Sequence, residues 1–157
     1  TPLRCVFRGL ADVQMPDVNV LIYAHRLESP DHPRYARWLV DLANGSESFG
    51  LSELSCSAFV RIVTLPQLWF PPTPLDHAIT FVDRLRARDN CRHLTPGPDN
   101  WNIFVQLCTA ANARGKLVAD AYHAALAIEH GCELVTADAD FARFPTLRWR
   151  HPLQPSA

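Results

Sequence analysis

The chain has 157 residues, 48% hydrophobic and 20% charged, which suits one compact core and leaves no room for a second domain. A formal net charge of −1 excludes binding of nucleic acid by overall charge and leaves that role to a local basic face. No apolar run approaches the ~20 residues that span a bilayer, and the five cysteines, Cys5, Cys56, Cys91, Cys108 and Cys132, lack zinc-ligand spacing, so they read as reduced thiols of a cytoplasmic protein.

Residues 1–11 read as a loose N-terminal extension, with Arg4 and Arg8 among apolar residues but no long signal-peptide core. Met15, the only methionine, falls at the first predicted strand, which places the expected translation start upstream. A short apolar run from Val13 delivers Asp17, and a helical stretch follows at once, with Val18, Leu21, Ile22 and His25 on one face. It ends in the turn Glu28-Ser29-Pro30-Asp31. Asp31 is placed to cap a second helix with Pro33 in its first turn and Tyr35, Trp38, Leu39 and Leu42 at helical spacing, until Asn44-Gly45 stops it. A strand is predicted over Ser48–Leu51. Ser52 then caps a third helix, with Glu53 in its first turn and Phe59, Ile62 and Val63 as its core face.

Leu65-Pro66 ends that helix and opens a Pro-rich loop, Trp69-Phe70-Pro71-Pro72, whose large apolar side chains suit a partner. Thr73-Pro74-Leu75-Asp76 has the grammar of a helix start, Thr as cap and Pro in the first position, continued by Ala78, Ile79, Val82 and Leu85. A strand over Cys91–Leu94 precedes a helix opened by Pro98 or Asp99, with Trp101, Phe104, Val105, Leu107 and Cys108 as its apolar face and Gly115 as its C-terminal glycine. Leu117–His130 is an alanine-rich helix closed by Gly131, and Cys132–Thr136 is the most strand-like run of the chain. A turn over Phe141–Pro145, a last strand over Leu147–Trp149 and a tail from 154 to 157 complete the reading. Alternating strands and helices imply a mostly parallel sheet covered on both faces, a three-layer α/β/α domain over residues 12–153.

In such folds functional groups collect at the carboxyl ends of strands. Asp17 and Asp138 each follow a predicted strand, and Asp120 is a lone carboxylate among Leu, Val and Ala near the start of a helix. Three converging carboxylates repel one another, and a divalent cation with hard oxygen preference, Mg²⁺ or Mn²⁺, is their natural neutraliser. Such a site orients and activates water for attack on a phosphodiester. Each aspartate taken alone is more often a helix cap or a solvated charge than a ligand.

Three segments, Pro16-Asp17-Val18-Asn19-Val20-Leu21-Ile22, Leu117-Val118-Ala119-Asp120-Ala121-Tyr122-His123-Ala124, and Leu134-Val135-Thr136-Ala137-Asp138-Ala139-Asp140-Phe141, resemble the signature blocks of PIN domains in content, order and interval. The run from Phe141 to Trp149 is similar to one subgroup of VapC-type toxins of bacterial toxin–antitoxin pairs. The resemblance implies a Mg²⁺- or Mn²⁺-dependent endoribonuclease acting on RNA, held in check by a small VapB-type antitoxin and forming a homodimer. Asp17 and Asp120 would be the principal metal ligands and Asp138 would complete the pocket. Asn19 and Thr136 match positions that orient those carboxylates. Asp140 either backs up Asp138 or caps the turn before Phe141.

One departure stands out. PIN nucleases usually carry a further acid about six residues beyond a Ser or Thr on the helix after the second strand, and here that count reaches Ala58 and Phe59. Glu53, the only acid on this helix, either reaches the pocket edge or merely stabilises the helix N-terminus. The missing acid motivates an alternative, a catalytically impaired module that binds RNA or antitoxin without cutting. Arg61, His25 and Arg26 are the candidate RNA-binding groups, joined by Arg114 and Lys116, while His123 lies on a neighbouring part of the Asp120 helix face.

Overall fold

In the computed structural model, which describes residues 13–155, five short strands form one wholly parallel sheet in the order β3-β2-β1-β4-β5. The strands are β1 (Gln14–Pro16), β2 (Phe49–Ser52), β3 (Cys91–Leu94), β4 (Glu133–Val135) and β5 (Trp149–Arg150). Six α-helices connect them: α1 (Val18–His25), α2 (His32–Asn44), α3 (Glu53–Val63), α4 (Leu75–Arg86), α5 (Asn100–Ala111) and α6 (Lys116–Glu129). A 3₁₀ turn over Ala139–Arg143 replaces the irregular turn expected at 141–145. The extension expected at 1–11 lies outside the described residues.

Alternation along the strands builds the three layers, because successive side chains leave opposite faces of a sheet. Phe49 and Leu51 of β2 enter the apolar cluster formed with α1, α2, α3 and α4. Met15 of β1, Leu94 of β3 and Leu134 of β4 enter the other cluster, with α6, Leu107 of α5, Phe141 and Phe144. Gly50 lies between the two β2 core residues, and a Cβ there would come within 2.5 Å of Leu94 Cδ1, so the bare glycine is what lets Leu94 pack on that face. The fully buried Phe49, Phe59, Phe141 and Phe144 anchor the two layers, each burial being worth ~1.5–3 kcal/mol.

Several local expectations give way to longer-range contacts. Thr73 does not cap α4, whose N-cap is Pro74; its hydroxyl instead meets His25 Nε2 at 3.0 Å and accepts from Arg26 at 2.9 Å. Gly115 does not end α5. That helix stops at Asn112, in the left-handed region at φ 48°, and Gly115 at φ 54° turns the chain into α6. Asp31 occupies the N-cap position of α2 but makes no side-chain cap. Ser52 does cap α3, accepting from the Ser55 amide at 3.1 Å. The last strand is displaced to Trp149–Arg150, paired with Leu134 and Val135.

Among the described residues, Cys56, Cys91, Cys108 and Cys132 are free thiols, and no helix is long and apolar enough to cross a membrane.

Candidate metal centre

The sheet places two acids side by side. β1 and β4 are neighbours, with Pro16 paired to Val135, so the residues that follow them leave the same sheet edge. Asp17 follows β1 directly, and its amide donates to Val135 O at 2.8 Å. Its carboxylate is buried and fixed at both oxygens: Oδ1 accepts from the Val18 amide at 2.7 Å, capping α1, and Oδ2 accepts from the Thr136 hydroxyl at 2.7 Å. The cap reading and the pocket reading of Asp17 therefore describe one geometry.

Thr136 sits at the centre. Fully buried, it donates to Asp17 and its oxygen accepts from the Asp138 amide at 3.1 Å and from Asn19 Nδ2 at 3.3 Å. That uses the one donor and both lone pairs a hydroxyl owns. Asn19 closes the ring by accepting from the Ala137 amide at 3.3 Å. Asp138 Oδ1 accepts from the Asp140 amide at 2.9 Å, which ties the start of the 3₁₀ turn. Asp140 thus acts on Asp138 through its backbone, and its own carboxylate is exposed.

The third acid arrives from α6. Asp120 joins the same group through Lys116, one turn earlier on the helix. Its ammonium donates to Asp138 Oδ2 at 2.6 Å and to Asp120 Oδ2 at 3.1 Å. Both carboxylates hold the Lys116 proton more firmly than usual. Burial raises the Asp120 pKa, and the neighbouring Asp138 and Asp17 charges add to that rise, outweighing Lys116, which opposes it. For Asp138 burial also works upward, but Lys116 and the Asp140 amide together bring it below the ordinary carboxylate range.

No three His, Cys, Asp or Glu side chains among the described residues form a ready-made metal cage. The Lys116 ammonium lies between Asp120 and Asp138. The donor chemistry suits a hard divalent ion: only carboxylate oxygens converge, they feel one another's charge, and they accept a cation in their midst.

Next to the acids lies His123. Its Nδ1 is 3.4 Å from Ser55 Oγ, which in turn receives the Ser52 hydroxyl at 3.1 Å. Burial lowers the His123 pKa, and Asp17 and Asp120 partly offset this. Ser55 thus ties α3 to His123 on the helix that carries Asp120. Phe59, by contrast, is core, stacked on Phe81 with ring centroids 4.8 Å apart.

The remaining candidates are dispersed. Glu53 is exposed and pairs with Arg86 of α4 at 3.7 Å, so it stands outside the acidic group. His25 and Arg26 lie at the far end of α1 from Asp17, roughly 10 Å away along an eight-residue helix. There His25 packs edge-on against Phe59 and Phe81, and Arg26 bonds Glu28, Thr73 and Pro71 O while covering the Trp69 ring at 4.7 Å. Both side chains thereby hold the Pro-rich loop, at a distance from the acidic group. Arg61 is exposed in the last turn of α3, and Arg114 is exposed just before Lys116. Within the loop Trp69 is tucked in, its Nε1 donating to Ile62 O at 3.0 Å, whereas Phe70 is 88% exposed. Lys116 as partner of both acids was open to sequence only in part, through its four-residue spacing to Asp120.

The PIN domain family model matches residues 15–147. The chain is 42% identical over 137 residues to VapC ribonuclease Mb2897 of Mycobacterium bovis, covering 87% of this chain and 93% of that one. It is 35% identical over 136 residues to ribonuclease VapC25 of Mycobacterium tuberculosis, covering 87% and 96%. In fold it is similar to VapBC2 from Rickettsia felis, solved with a DNA fragment from its promoter, at a TM-score of 0.66 and 20% identity over 88% of this chain and 98% of that one. VapBC-1 of nontypeable Haemophilus influenzae gives the same TM-score of 0.66 at 16% identity, over 90% and 99%.

Proposed function

The chain belongs to the PIN domain family, and from that premise we propose that it is an endoribonuclease toxin of VapC type, dependent on Mg²⁺ or Mn²⁺. The observation that carries this is that Asp17 and Asp138 leave neighbouring strands at one sheet edge while Asp120 of α6 shares Lys116 with Asp138 and feels the charge of both. These three carboxylates would hold the divalent ion. When bound, the ion supplies Lewis acidity that polarises the phosphate and its attacking water. Thr136 and Asn19 keep Asp17 and the Asp138 backbone in place, so the site is preorganised rather than assembled on binding. Burial of Asp17 and partial burial of Asp120 keep water from competing for their oxygens. Exposed Arg114 and Arg61 supply positive charge for the RNA backbone, which a net charge of −1 does not.

None of the relatives favours the alternative of an impaired module. As partner we propose a VapB-type antitoxin in the cytoplasm. An apolar groove between α2 and α4, lined by Leu39, Val40, Phe81 and Leu85, and the exposed Leu68 and Phe70 offer it a surface. A homodimer would draw on the exposed Trp101 and Val105 of α5.

The test is cleavage of total RNA by the purified protein with Mg²⁺, Mn²⁺ or chelator, wild type beside Asp17→Asn and Asp120→Asn. We expect cleavage to vanish in chelator and to fall in both variants by more than the ~10–100-fold typical of changes around a metal's ligands. Cleavage that persists in chelator, or undiminished in both variants, would refute the reading.

A further inference from the structure

We propose that Lys116 is a resident counter-cation of the acidic pocket, filling in the ion-free protein the place between Asp120 and Asp138 that a divalent ion takes, and competing with that ion for it. This rests on the metal reading given above. The Lys116 ammonium reaches Asp138 Oδ2 at 2.6 Å and Asp120 Oδ2 at 3.1 Å and makes no other hydrogen bond among the described residues. Its side chain is 67% exposed, against 13% for Asp120 and 25% for Asp138, so it enters the pocket from solvent on a flexible stem that nothing else holds.

Charge and space both argue for exchange. Two carboxylates share one ammonium, and Asp17 adds its charge on the Asp120 side, which leaves the pocket negative and still attractive to a doubly charged ion. A divalent ion held by Asp120 and Asp138 would compete with the ammonium for the same carboxylates, and two cations at contact distance repel strongly. Lys116 must therefore leave as the ion enters, and its side chain has solvent to leave into. The position itself comes from Gly115, whose positive φ turns the chain so that Lys116 opens α6 one turn before Asp120.

The experiment compares wild type, Lys116→Met, which keeps the apolar stem, and Lys116→Arg, which keeps the charge, with Asp120→Asn as control. Mn²⁺ affinity is measured by calorimetry and thermal stability in chelator and in saturating Mn²⁺. Expected for Lys116→Met is Mn²⁺ binding roughly three- to tenfold tighter, the scale of one or two partly exposed ion pairs. It should also melt lower than wild type in chelator, with the deficit closing in Mn²⁺, while Lys116→Arg stays near wild type in both. Equal or weaker Mn²⁺ binding by Lys116→Met, with Asp120→Asn losing it, would overturn the competition alone. Mn²⁺ binding unchanged in Asp120→Asn would overturn the metal reading and this inference with it.

Discussion

Replacing Thr136 by valine tests the preorganisation of the site most directly. Valine nearly matches threonine in shape but has no hydroxyl, so it strands three partners: Asp17 Oδ2, the Asp138 amide and Asn19 Nδ2. The bond to Asp17 involves a charged acceptor and is worth ~1.5–3 kcal/mol, and an amide left without its acceptor adds about 1 kcal/mol. Asn19 is only partly buried and can turn to water. The added methyl returns about 0.8 kcal/mol, giving a net loss of ~2–3 kcal/mol. For a chain of this length each kcal/mol moves the melting point by ~2–4 °C, so Thr136→Val should melt about 5–10 °C below wild type. Thr136→Ser keeps the hydroxyl and gives up one buried methyl, a loss of about 1 kcal/mol. Thermal unfolding in chelator separates the two. Were Thr136→Val as stable as Thr136→Ser, the hydroxyl would not be holding the carboxylates and the reasoning would fail.

Two further outcomes are expected. Burial, with Arg26 beside it, lowers the His25 pKa below the ordinary 6.5, and His32 and His77 act the same way against Glu28. Below about pH 6.5 the unfolded chain therefore takes up a proton that the folded one refuses, so stability falls as the pH drops from 7 toward the depressed folded pKa. His25→Gln should flatten that part of the profile in urea unfolding at stepped pH, leaving the contribution of His123, which shifts in the same direction; an unaltered slope would contradict the burial argument. Phe59→Glu, which restores an acid where related nucleases are expected to carry one, should fail to fold, since it loses a stacked core ring worth ~3–5 kcal/mol and buries an unpaired charge at several kcal/mol more. A folded Phe59→Glu protein by circular dichroism, with raised RNA cleavage, would reverse our account of α3.

Asp17, Asp120 and Asp138 were visible in sequence because each sits where local pattern changes: a strand stops before Asp17 and Asp138, and one charge interrupts an alanine-rich helix at Asp120. What stayed hidden depends on contacts far along the chain. Thr73 has a helix-cap signature but serves His25 and Arg26, 48 and 47 residues away, because their polar groups lie over the loop and need an acceptor. Glu53 fits an N-terminal dipole or a pocket edge, yet it is drawn to Arg86 of the neighbouring helix. Asn112 and Gly115 both suit a helix end, and local grammar cannot say that one closes α5 while the other opens α6. His25 and Arg26 read as surface cations because sequence gives no sign of the aromatic rings and the loop that enclose them.

The hydrogen bonding divides the acidic group into a fixed half and an adjustable half, and that division bears on how an ion could enter. Both Asp17 oxygens already accept a fixed donor, yet a carboxylate has about four lone-pair sites, so two remain free without any movement. Asp138 is held by its own backbone and by the Asp140 amide through Oδ1, which leaves Oδ2 to Lys116. Asp120 has Lys116 as its hydrogen-bond partner, on Oδ2. Withdrawing one exposed lysine would therefore free an oxygen on each of two acids while every bond that positions Asp17, Thr136 and Asn19 stays intact. On the proposed metal reading, the cost of loading would fall on a surface side chain rather than on the core, and a divalent charge shared by the carboxylates would offset it.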